Sequence, residues 1–132
     1  MSVHNLITHT LFTATGTTVG AAATLIGPTI NLQYIERVDS LELRVSSAAG
    51  TANVRAEYQT SPDGVNWDDE DDNPDITAST LVDKPGNPEG WNSYSMPAPL
   101  AQYVRVLIDD ISAAGLTDTV VEAKLLCRER LS

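Results

Sequence analysis

Asp69, Asp71, Asn73 and Asp75 recur at alternate positions in an acidic run, a spacing at which side-chain oxygens can converge on a hard cation such as calcium. The pattern matches only the first half of an EF-hand loop. Pro74 stands where that loop needs glycine, Thr80 occupies the twelfth position instead of glutamate, and no helical periodicity flanks the run. The prevailing reading is therefore a solvated acidic loop with no metal or cofactor, calcium at these four residues being the minority reading. Other chemistry is not assembled. His4 and His9 both lie in the first ten residues, with no cysteine or carboxylate at ligand spacing. Cys127 is the sole cysteine, and it falls in line with Val121, Ala123 and Leu125, which suits a buried thiol packing as a small hydrophobe. Lys84 and Lys124 belong to a loop and to an outward strand face. No nucleophile has a base within an interior site, and Gly16, Gly20 and Gly27 have neither the spacing nor the following lysine of a phosphate-cradling loop. The expected class is a non-enzyme.

Charge narrows the partners. Residues 63–89 hold nine of the eighteen acids with Lys84 the one base, so this stretch carries −8 of the net −10. Such a field repels phosphate backbones, and no basic patch with interleaved aromatics counters it, so no nucleic-acid partner is expected. No apolar run approaches the length of a membrane span, and the first residues lack the basic and apolar regions of a signal peptide. Synthesis and retention in a cytoplasm, or departure inside an assembly, is the matching expectation.

The elements that would position these residues read as strands. At 132 residues the chain suits a single domain, 1–132. Segment 54–59 alternates Val54, Ala56 and Tyr58 with Arg55, Glu57 and Gln59, and Ser61-Pro62-Asp63-Gly64 follows as turn chemistry before Trp67, which predicts a hairpin with a packed ring. Segments 6–13, 24–26, 38–47, 51–60, 76–82, 92–96, 103–109 and 119–128 are the strand candidates. Leu41, Leu43 and Val45 point inward in the third of them, and Val104, Val106 and Ile108 in the seventh. Segments 38–47 and 51–60 are expected to pair antiparallel, with Glu42, Arg44, Arg55 and Glu57 as solvent-facing partners. Segments 103–109 and 119–128 are likewise expected to be neighbours. No stretch keeps a helical period. The expectation is an all-β fold, a single antiparallel β-sandwich of about seven or eight strands. Residues 1–30 would form a terminal strand and extended arm, and 68–99 an acidic, proline-rich loop region anchored by Trp91 and Tyr94. Removal of residues 1–26 is expected to leave a folded domain.

Two patterns carry a resemblance. YQTSPDGVNWD resembles the Ser-x-Asp-Gly-x-x-Trp hairpin of β-sandwich structural proteins of tailed bacteriophages and of bacterial surface and carbohydrate-binding sandwiches. YVRVLID, followed by a short loop and a terminal strand, resembles the closing strands of jelly-roll domains. With the Ala/Thr-rich segment 14–29 and the acidic surface, the chain resembles a phage capsid decoration, or cement, protein. That resemblance implies a virion structural protein on the outer capsid surface, with the major capsid protein as partner and a homo-oligomer, a trimer before a dimer. Contacts would come from Leu6, Ile7, Leu11, Phe12, Val19, Leu25 and Ile26 and from Asp68, Asp69, Asp71 and Asp72. A carbohydrate-binding or host-recognition module, using Trp67, Trp91, Tyr94 and Tyr103 as sugar platforms, is the first alternative. A tail or baseplate component is the second.

Overall fold

A computed structural model describes residues 4–13, 18–19, 23–46, 52–81, 91–96, 101–112 and 119–130. The strands are β1 (His4–Phe12), β2 (Thr18–Val19), β3 (Thr24–Ile26), β4 (Ile30–Asn31), β5 (Ile35–Ser46), β6 (Asn53–Ser61), β7 (Thr77–Leu81), β8 (Trp91–Ser95), β9 (Tyr103–Asp110) and β10 (Thr119–Arg130), with one 3-10 turn at Glu70–Asp72. All eight anticipated strands are present. The two additions, β2 and β4, are two residues each and too short to leave a pattern in the sequence.

One sheet has the order β1-β10-β5-β8 and the other β3-β9-β6-β7, with β2 beside β10 and β4 beside β9, and every pairing is antiparallel. Counting β1 and β2 as one interrupted strand and β3 and β4 as another, this is the eight-strand, double-sheet order of a jelly roll. The interruption falls at Gly27, whose N–H donates to Val106 O at 2.8 Å. A Cβ there would lie 2.9 Å from that same carbonyl and 3.5 Å from the Phe12 ring, so glycine permits the close approach.

Inward faces follow the alternation. Leu41, Leu43, Val45, Val121, Ala123, Leu125 and Cys127 from one sheet meet Val54, Ala56, Tyr58, Val104, Val106 and Ile108 from the other, all buried. Burial pushes the Cys127 thiol up to about 11, which keeps it protonated and inert.

Neighbours do not follow it, and both expected pairings are corrected. β5 pairs with β10 and β8, while β6 pairs with β9 and β7 in the opposite sheet. β9 and β10 are similarly split. Sheets stack about 10 Å apart, and a connector of six or so residues spans that gap with ease, whereas only a two-residue turn would have forced a hairpin. The charged partners change accordingly. Glu42 stands opposite Lys124 and Ser93, Arg44 opposite Glu122 and Trp91, Arg55 opposite Asp109, and Glu57 opposite Leu107. Nor is Glu57 solvent-facing, since only 4% of it is exposed.

The strand expected at 6–13 is present, but the expectation that removal of residues 1–26 leaves a folded domain needs revision. β1 is a nine-residue sheet strand in register with β10, from His4 opposite Arg130 to Thr10 opposite Lys124, and Leu11 belongs to the core. A truncation that removes it cuts into the sandwich. Segment 14–17 and residues 20–22 lie outside the described residues.

Candidate interaction surfaces

The turn after β6 forms as its residue types require. Ser61 Oγ accepts from the N–H groups of Asp63 (3.3 Å) and Gly64 (2.9 Å), and Asp63 Oδ1 accepts from those of Val65 and Asn66, both at 2.8 Å. Gly64 takes φ +77°, a left-handed value that suits glycine, and packs beside the Tyr103 ring. The Asn66 and Val65 N–H groups hold the Asp63 carboxyl well below the ordinary carboxylate range.

Beyond the turn the chain does not return directly as a strand. Trp67 lies on the outer face of the β9 sheet, half-buried, with the Arg105 guanidinium 4.3 Å from its ring centre. Arg105 Nε donates to Gln59 Oε1 at 2.7 Å, and Gln59 Nε2 donates to Asp68 O at 2.8 Å and Glu70 Oε2 at 3.3 Å. The returning strand, β7, starts ten residues after Trp67. Because the ring is half-buried, Trp67→Ala should cost about 1–2 kcal/mol, less than the roughly 3–5 kcal/mol of a fully buried aromatic. Urea unfolding of the variant checks this, and a loss above about 3 kcal/mol would contradict the outer-face placement.

The acidic run divides by orientation. Asp68 turns inward: its carboxylate accepts from Thr60 N (2.8 Å), Thr60 Oγ1 (3.0 Å) and Asn73 Nδ2 (3.0 Å). Burial pushes this carboxyl up, but the hydrogen bonds from Asn73 and Thr60 outweigh it and leave it below its ordinary value. Asp68 is thus the clasp of the loop. Asp69, Asp72 and Asp75 are exposed, and the side chain of Asp71 lies outside the described residues. Asn73 donates to Tyr58 O at 3.2 Å as well as to Asp68. Among the described residues no three His, Cys, Asp or Glu side chains gather closely enough to hold a metal.

Of the apolar contact candidates, Leu6 is 60% and Ile26 56% exposed. Leu11 is in the core, Phe12 and Leu25 pack against it, and Ile7 is half-buried. The side chain of Val19 lies outside the described residues. The candidate platforms are occupied too. Lys124 Nζ sits 4.6 Å from the Trp91 ring centre, Tyr94 packs on the core, and Tyr103 lies against Gly64.

Two features went unread in the sequence. Tyr34 and Val65 are 67% and 77% exposed. Val65 follows the turn glycine and could have been read from that; Tyr34, between β4 and β5, lies in a stretch whose pattern signals nothing. The second is a carboxyl pair on the outer face of the β9 sheet. Arg55 Nη2 lies 3.3 Å from Glu57 Oε1 and 3.1 Å from Asp109 Oδ2, and Thr24 Oγ1 donates to Asp109 Oδ1 at 2.5 Å. The hydrogen bond to Asp109, with burial and the Asp109 charge, pushes Glu57 up to about 7. Burial pushes Asp109 up, but the bonds from Glu57, Thr24 and Arg55 prevail and hold it below its ordinary value. The two share one proton beside one arginine.

No protein-family model matches the chain, and no curated protein matches its sequence. Solved structures do resemble it. A chain from the structure of infectious bursal disease virus, Gx strain, superposes over 98% of this chain with a TM-score of 0.68 at 12% identity. This chain spans 33% of that one. The prophage-derived protein YomS of SPBc2 overlaps 98% of this chain and 97% of its own, at 12% identity and a TM-score of 0.48. The mitogen of Yersinia pseudotuberculosis overlaps 98% of this chain and 89% of its own, at 14% identity and a TM-score of 0.39. At such identities the first likeness supports the antiparallel sandwich and nothing finer.

Proposed function

We propose that this chain is a virion structural protein, a jelly roll that binds the outer surface of a capsid and bridges neighbouring major capsid subunits. The observation that carries the reading is the double-sheet fold itself, which superposes over nearly the whole chain on a chain from a virus structure. Double-sheet jelly rolls serve both as viral capsid domains and as lectins. The aromatic surfaces favour the first use, because cations sit against the rings of Trp67 and Trp91 that a sugar would stack on. The docking face is the acidic loop, which Asp68 pins to β6 so that Asp69, Asp72 and Asp75 project from a fixed backbone. A small protein bound only to an assembled lattice stabilises that lattice by mass action.

Neutralising Asp69, Asp72 and Asp75 to Asn, with Asp68 left in place, should weaken co-sedimentation with capsids about tenfold or more. It should also flatten the salt dependence of binding, since fewer charges remain to be screened. Wild-type protein that binds glycans and ignores capsids would refute the proposal.

A further inference from the structure

Three buried side-chain atoms have no hydrogen-bond partner among the described residues: His9 Nε2, Asp110 Oδ2 and Thr119 Oγ1. Two of them belong together. Asp110 is the last residue of β9 and Thr119 the first of β10, joined by residues 111–118, so they lie at the same end of the sandwich in opposite sheets. Each is an inward position of its strand, in line with Val104, Val106 and Ile108 on β9 and with Val121, Ala123 and Leu125 on β10. Asp110 is 2% exposed and Thr119 0%. His9 is separate, standing opposite Leu125, about 20 Å further along β10.

The Asp110 carboxylate is held by one oxygen. Its Oδ1 accepts from the Ser112 N–H at 2.9 Å, and Ser112 Oγ is itself tied to Asn53, accepting from its N–H at 2.8 Å and donating to its carbonyl at 3.2 Å. Oδ2 is left in the interior. The ion pairs of the described residues join Arg37 and Arg128 to Asp39, and Arg55 to Glu57 and Asp109, and none of them includes Asp110. Burying a carboxylate with no opposite charge carries a large desolvation cost, which a positive charge offsets more fully than a water does. Facing sheets stand about 10 Å apart, so short side chains reaching in from both end roughly one small ion's width from each other.

We infer that Asp110 Oδ2 and Thr119 Oγ1 hold one monovalent alkali cation, such as sodium, between the two sheets. The charge count selects a monovalent ion, because one carboxylate among neutral oxygens balances one positive charge. Hard cations take oxygen donors, and hydroxyl, carbonyl and water oxygens complete the shell without a cluster of acids. The ion staples β9 to β10, two strands that no backbone pairing joins. The inference rests on the interior and stands apart from the capsid reading.

Thermal unfolding of the purified chain in sodium chloride and in tetramethylammonium chloride at equal ionic strength tests this. The organic cation screens surface charge as sodium does, but it is too bulky to enter between two short side chains. The wild-type melting temperature should be higher in sodium by about 3 °C or more, because the ion binds only the folded state. Asp110→Asn and Thr119→Val, each close to its parent in size, should each lose at least half of that difference. Independently of any variant, a crystal of the wild-type chain soaked in rubidium chloride should show an anomalous peak within coordinating distance of Asp110 Oδ2. Equal melting in the two salts, variants at 110 and 119 that respond to sodium as the wild type does, or no rubidium at Asp110 would overturn the inference.

Discussion

Deleting residues 1–12 should abolish the cooperatively folded state. The deletion strips β10 of its neighbour along most of its length, leaving the backbone groups of residues 123–130 without their partners on that side. It also removes Leu11 from the core, a change worth about 2–5 kcal/mol by itself, and the Phe12 ring that packs on Gly27 and the core. Domains of this size are stable by only about 5–15 kcal/mol, so the sum reaches the whole. Far-UV circular dichroism and a thermal melt decide it. A truncated chain that keeps its strand signal and melts within a few degrees of the intact protein would show that β1 is an appendage after all.

Raising the pH from 5 to 8 should lower the unfolding free energy by about 2–3 kcal/mol through Glu57 alone, on the basis of about 1.4 kcal/mol for each unit by which its pKa is displaced. In the folded chain this carboxyl titrates at about 7, above its ordinary value, so the native state holds a proton that the unfolded chain releases earlier. The stability linked to it is fully present below the ordinary glutamate range and is lost as pH rises through about 7. Asp109 acts in the opposite sense. Held below its ordinary value, it contributes stability above the ordinary aspartate range that disappears on strong acidification. Arg55 beside both carboxyls, Thr24 bonded to Asp109 and the more distant charge of Asp75 complete the surroundings. Urea unfolding at a series of pH values should show the decline. Glu57→Gln, which cannot ionise, should flatten it between pH 5 and 8, and a variant with the wild-type slope would assign the effect to other groups.

The surface residues proposed from sequence show why a site is harder to read than a strand. Asp68 and Asp69 are adjacent acids of the same type, yet one clasps the loop to Thr60 and the other is exposed. Which acid turns in depends on where Thr60 and Asn73 arrive in space, and the linear order does not encode that.

By itself, the sequence determined the strands, the faces they bury and the turn at Ser61 to Gly64. These are local properties: a period of two assigns each side chain to a face, and turn geometry needs particular residues at particular positions. Only the tertiary structure decided that β5 and β6 part company, that β1 is a full member of its sheet, and that Glu57 is buried against Asp109. Alternation says that a strand has a buried side and is silent on its neighbour. That choice belongs to long-range packing of the two sheets, and connectors long enough to cross between them leave it open.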